Sequence, residues 1–83
     1  MATVRIGDRE LDVKPATLGF LKRKVIPWQA TMSAAEGEAA IDQIAAGFLL
    51  YVGHNEGVTA DWLLENLPAN TYDLFKAVVA AAK

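Results

Sequence analysis

Residues 33–53, read as Ser-Ala-Ala-Glu-Gly-Glu-Ala-Ala-Ile-Asp-Gln-Ile-Ala-Ala-Gly-Phe-Leu-Leu-Tyr-Val-Gly, constrain the fold more than any other stretch. Ser33 and Glu36 have the spacing of a capping box, in which the hydroxyl accepts from an orphan backbone N–H and the carboxylate reaches back to the cap. From there Ile41, Ile44, Phe48 and Tyr51 recur at helical spacing, with Ala45, Leu49 and Val52 on the adjacent flank. The pattern predicts a helix over 33–52 with a broad apolar face. Asp42 is its last charged residue. Beyond it the helix tolerates cover on nearly every side, which predicts a central position among other helices. Gly53, Asn55 and Gly57 are expected to supply the left-handed conformations that end it.

Such a helix needs a core around it, and 83 residues supply one small domain over 1–83. A chain of this size buries roughly 60–68% of its unfolded surface. Cysteine is absent, so packing has no help from disulfides or thiolate metal sites. With 53% hydrophobic and 22% charged residues the chain reads as folded and not as a disordered tail. A net charge of −2 offers no general attraction to nucleic acid or anionic lipid. The N-terminus alternates like a strand instead of showing a charged head and an apolar run, so no secretory leader is expected. The longest uncharged segment, 43–55, falls short of the ~20 residues a membrane helix needs. The expectation is a soluble cytoplasmic protein with no membrane partner.

Residues 3–13 read as a β-hairpin, with Val4 and Ile6, then Leu11 and Val13, alternating with polar residues around Gly7-Asp8. A type II′ turn there would set Val4 opposite Leu11 and Arg5 opposite Glu10; a longer loop would pair Ile6 with Leu11 and Arg5 with Asp12. Two strands alone are unstable in water, so their apolar face must lie on helices. Thr17 is placed to cap a helix over 17–25 whose Leu18, Leu21 and Val25 face the core and whose end is set by Pro27. Lys22, Arg23 and Lys24 fall in its last turn, complementing the helix dipole. Residues 27–32 then form a connector that contains Trp28. Thr59 caps a helix over 59–67, with Asp61 in its first turn, and Pro68 stops it. Asn70 or Thr71 opens a last helix over 71–82, with Leu74, Phe75, Val78, Val79 and Ala82 on its apolar face. The fold class is α+β and mainly helical: an N-terminal hairpin packed on a bundle of about four helices around a long central one.

Chemistry is sparse in this pattern. His54 follows Gly53 at a helix end, with no Ser, Cys or Asp at a motif spacing and no second His to make a metal pair. The carboxylates alternate along the hairpin or cluster at the front of the central helix, as solvated faces do. Gly53 and Gly57 lack the Lys-Ser/Thr ending of a phosphate loop. No catalytic residue, cofactor or metal ligand is assigned, and an enzyme is not expected. Lys22, Arg23 and Lys24, between Phe20 and Trp28, could touch phosphates, but three adjacent charges cannot share one helical face and the acidic balance opposes nucleic acid. The surplus of apolar residues says more. Phe20 points away from the Leu18, Leu21 and Val25 face, and Ile26, Trp28 and Met32 follow it, so these four with the basic triplet as a rim are the candidate partner-binding residues. The structural alternative is that the hairpin covers them.

The order of elements resembles a known family. A hairpin, then Thr17-Leu18-Gly19-Phe20-Leu21, then an Ala-rich helix ending in Phe48-Leu49-Leu50-Tyr51, then Val58-Thr59-Ala60-Asp61-Trp62-Leu63, and a last helix from Asn70-Thr71 is similar to the tail assembly chaperones of long-tailed bacteriophages. The similarity spans most of the chain and rests on size and element order, with no catalytic constellation to carry over. It implies a mainly helical protein of the host bacterial cytoplasm that binds the tape measure protein, or another phage tail protein, and keeps its long apolar helices from aggregating. Two other classes stand beside it: a structural or adaptor module of a virion that self-associates as a homo-oligomer, and a nucleic-acid binder acting through the hairpin and the basic triplet.

Overall fold

A computed structural model describes residues 2–83. Its strands are β1 (Thr3–Ile6) and β2 (Arg9–Asp12), paired antiparallel with Val4 opposite Leu11 and Arg5 opposite Glu10. The two-residue turn wins because Gly7 takes a positive φ of 63° and Asp8 does not, the sign pattern of a type II′ connection. Val4, Ile6, Leu11 and Val13 are buried, and β1 packs against the last helix. Backbone bonds lock the following segment down: Lys14 N–H donates to the Tyr51 carbonyl and Ala16 N–H to the Ala82 carbonyl, each at 2.8 Å.

The next element departs from the sequence reading. Residues 18–34 form one uninterrupted helical rod: α1 (Leu18–Phe20), a wider π-helical turn (Leu21–Val25) and α2 (Ile26–Ala34). Thr17 caps it, its hydroxyl accepting from Phe20 N–H at 3.1 Å. Pro27 does not end the helix at Val25, and 27–32 is not a loop. Ile26 keeps helical angles, its N–H donating to the Leu21 carbonyl across the π turn. The wide turn resets the ladder so that Pro27 occupies the opening turn of α2, where its missing N–H is tolerated. Lys22, Arg23 and Lys24 consequently sit inside the rod and do not complement a helix end.

The rod's buried side is also the reverse of the expected one. Leu18 is 85% exposed and Leu21 is exposed, whereas Phe20 packs edge-on against Tyr51 at 5.4 Å between ring centres. Val25 alone of the expected face is buried.

The central helix, α3 (Glu38–Val52), starts five residues later than the capping box implies. Ser33 belongs to the end of α2, the chain turns through extended Ala35, and Gly37 at φ 59° opens α3 without any side-chain cap. Helix-favouring Ser-Ala-Ala on one side of the turn conceals the break. α3 touches α2, the π turn, α4 (Ala60–Asn66) and α5 (Tyr72–Ala81), and is central in that sense. Ala45, Phe48, Tyr51 and Val52 are buried, but Ile41, expected in the core, is 55% exposed. Gly53 stays right-handed at φ −66°; only Gly57 in the following loop has a positive φ. Asn55 instead does the work of tying the loop to the hairpin: its amide accepts from Asp12 N–H at 3.0 Å and donates to the Asp12 and Val52 carbonyls at 2.9 and 2.8 Å. Thr59 caps α4 through Trp62 N–H, and Asn70 settles the start of α5 by accepting from Tyr72 N–H at 3.2 Å.

Candidate protein-binding cleft

Trp28 organises the site. Its indole Nε1–H donates to the Gln43 carbonyl of α3 at 2.7 Å, and its ring lies over Gly47 one turn on, where a Cβ would overlap the indole carbons. A glycine costs a helix interior up to about 1 kcal/mol relative to alanine. Here it admits an aromatic ring to the helix surface. The ring then meets Phe75 of α5 at 5.4 Å, and Phe75 is in turn 5.1 Å from Phe48 and 6.1 Å from Tyr51. These four rings join α2, α3 and α5 at one point.

On the solvent side of that point lies a cleft of about 340 Å³, walled by Trp28, Met32, Ile44, Phe48 and Phe75, with Tyr72 and the loop 69–71 at its mouth. Tyr72 is 69% exposed, with Lys76 Nζ 5.2 Å from its ring centre. A second groove of about 240 Å³ adjoins it, sharing Ile44, Ala69 and Thr71 and continuing along Ile41, Leu64 and Leu67. The two recesses share the Ile44 wall of α3, the first lined also by α2 and α5 and the second by α4.

The candidate residues named from sequence are divided among three places. Trp28 and Met32 line the cleft. Phe20 packs on Tyr51, with Lys14 Nζ 5.5 Å from its ring centre, so it is half-buried and away from the cleft. Lys22, Arg23, Lys24 and Ile26 are exposed on the rod, where Ile26 reaches 59%. They rim neither recess. The hairpin covers none of the four apolar candidates through the contacts described; α3 and α5 hold Phe20 and Trp28.

Ile44, Tyr72 and Phe75 complete the cleft and were not singled out from sequence. Gly47, a glycine inside an otherwise strong helix, marks close approach of another group, here the Trp28 indole, and points to α3 as the wall of the cleft without naming these three. Charge is also segregated along the chain. Between Val25 and Phe75 there are seven carboxylates and no Lys or Arg, whereas between Asp12 and Glu36 every charged side chain is basic.

A larger, open recess of about 650 Å³ lies by the end of the hairpin, with Asp12, Lys14, His54 and Lys83 at its edge, all of them exposed. Among the described residues no group of three or more His, Cys, Asp or Glu side chains is placed to hold a metal ion, and no helix is long and apolar enough to cross a membrane. Burial raises the Tyr51 phenol above its ordinary value of 10.0. In comparisons with known proteins, no family model, curated protein or solved structure matches the chain.

Proposed function

We propose that this chain is a non-enzymatic holder of helical protein segments, a phage tail assembly chaperone whose client is the tape measure protein. The observation that carries the reading is the cleft itself: an aromatic recess held open by Trp28 and Phe75, with exposed Tyr72 at its mouth. An apolar groove between packed helices suits the apolar stripe of an amphipathic helix, which anchors at i, i+3, i+4 and i+7. Aromatic and methionine side chains contribute large contact area with adaptable shape. The element order described above supplies the choice of client, and the host cytoplasm is where such a client is made.

Co-expression with the tape measure protein of the same locus tests this. The expected result is a soluble complex from a client that is insoluble alone. Tyr72→Asp, at an exposed position, should reduce the recovered client at least tenfold while leaving the helical circular dichroism unchanged. Trp28→Ala is a poorer probe, because Trp28 also joins α2 to α3. A client that stays insoluble beside the parent chain, or one recovered equally with Tyr72→Asp, contradicts the proposal.

A further inference from the structure

The π turn decides which side chains of the rod share a side. In a regular α-helix, residues five apart point roughly 140° away from one another at 100° per residue. Across a π turn they stand nearly in line, and the Ile26 N–H to Leu21 carbonyl bond shows that register here. Ile26 thereby comes round to the side of Leu21, with Leu18 one turn before it. All three are exposed, Leu18 most of all, and they line none of the three recesses described above. They form an aliphatic ridge that projects from the rod. Phe20 and Trp28, the aromatic residues of the same rod, are turned toward α3, where they meet Tyr51 and the Gln43 carbonyl.

Charge follows the same division. Lys22, Arg23 and Lys24 are exposed within the segment that the ridge spans, and Lys14, also exposed, is held beside the start of the rod with its Nζ 5.5 Å from the Phe20 ring centre. Between Asp12 and Glu36 there is no carboxylate to neutralise them, and all 10 Asp and Glu residues lie outside that stretch. The net charge of −2 therefore conceals a cationic rod on an otherwise acidic molecule. A field of that kind turns the rod toward an anionic surface and the remainder away from it.

We infer that the ridge is a peripheral contact for an anionic lipid bilayer, with Leu18, Leu21 and Ile26 entering the boundary between headgroups and acyl chains and Lys22, Arg23 and Lys24 among the lipid phosphates. Aliphatic side chains flanked by Lys and Arg are the pattern of helices that lie in that boundary. The long basic side chains lay their stems on apolar surface and keep their charged ends at headgroup level. In a protein partner a projecting ridge needs a groove of matching shape, whereas a fluid lipid layer deforms around it. Nucleic acid is disfavoured by the same geometry, because the two aromatic rings that would stack on bases are packed against α3. The molecule rests on the surface by one edge and does not cross it, since no described helix is long and apolar enough to span. The contact is separate from the Trp28 cleft and does not depend on the proposed client.

Co-sedimentation of the isolated chain with lipid vesicles tests this. One set of vesicles is phosphatidylcholine alone, and in the other a third of the lipid is phosphatidylglycerol. The chain should bind the mixed vesicles, come off them as salt rises, and stay free of phosphatidylcholine alone. Two variants separate the contributions: Lys22→Gln with Arg23→Gln and Lys24→Gln, and Leu18→Ser with Ile26→Ser. Each should require at least tenfold more mixed lipid for half-binding, with unchanged helical circular dichroism. Where the ridge pair loses helicity, Leu18→Ser alone replaces it. Tyr72→Asp, at the mouth of the cleft, should bind the mixed vesicles as the parent does. A parent that leaves the mixed vesicles unbound, or binds both sets alike, overturns the inference. So does a ridge variant that binds like the parent, since charge alone then accounts for adsorption, and so does a chain that takes up short duplex DNA in preference to the mixed vesicles.

Discussion

The two halves of α3 belong to the same helix and do different work. From Ala45 to Val52 it is enclosed: Phe48 has no exposed surface, Tyr51 lies between Phe20 and Phe75, and the Tyr51 carbonyl receives the chain leaving the hairpin. From Glu38 to Ile44 it is half open, with Ile41 exposed and Ile44 shared between two apolar recesses. Both halves are rich in aliphatic residues, so hydrophobicity alone does not separate them. The difference is in what the neighbours supply. Toward the C-terminal end, the segment leaving the hairpin, the π turn and α5 converge on the helix, whereas α4 is only seven residues long and leaves part of the other half uncovered. In a chain this small a seven-residue helix is too short to cover the central one, and apolar surface stays open along it.

The enclosed half should respond most to substitution. Phe48→Ala removes a fully buried ring in contact with Phe75 and should cost about 3–5 kcal/mol, most of the stability of a domain this size, in chemical denaturation. Gly47→Ala sharpens the boundary between the halves. The added methyl meets the Trp28 indole, and the cost of displacing it, about 1–3 kcal/mol, outweighs a helix-propensity gain of up to about 1. Its melting temperature should fall, with a changed near-ultraviolet signal from the indole.

Tyr51 gives a pH signature of the enclosed half. The folded chain holds the phenol proton more tightly than the unfolded chain, which loses it near 10.0. This contribution to stability is complete below that pH and is lost as pH rises through the higher folded value. Tyr51→Phe should flatten that part of the alkaline stability curve. At the open half the expected effect is smallest: Ile41→Lys should change stability by no more than about 1 kcal/mol, since more than half of the residue is already exposed and Glu38 lies one turn before it. A loss at Ile41 comparable to that at Phe48 would mean that the two halves of α3 are equally enclosed.

The hairpin and the caps were legible because their signals are local. Gly7-Asp8 determines a turn, alternation determines the buried face, and Thr17 and Thr59 cap the helices they precede. The rod departs from its periodicity because a π turn changes angular register, whereas spacing counted at 100° per residue assigns Leu18 and Leu21 to the core and Phe20 to the outside. Pro27 reads as a stop because the sequence does not announce the wide turn that accommodates it. Ser33 and Glu36 spell a capping box, yet Gly37 three residues past the end of α2 takes the conformation that starts α3. Of the cleft, Trp28 and Met32 were legible as surplus apolar residues near a proline. Ile44, Tyr72 and Phe75 were not, because they become neighbours only through the packing of α2 and α5 on α3.

Native-state hydrogen exchange along α3 tests the division most directly. Amides from Phe48 to Val52 should exchange only through global unfolding, with an opening free energy equal to that of the whole chain. Amides from Ala40 to Ile44 should open at a clearly lower free energy, through local fluctuation of the half that neighbours leave uncovered. Uniform protection from one end of α3 to the other would contradict the account.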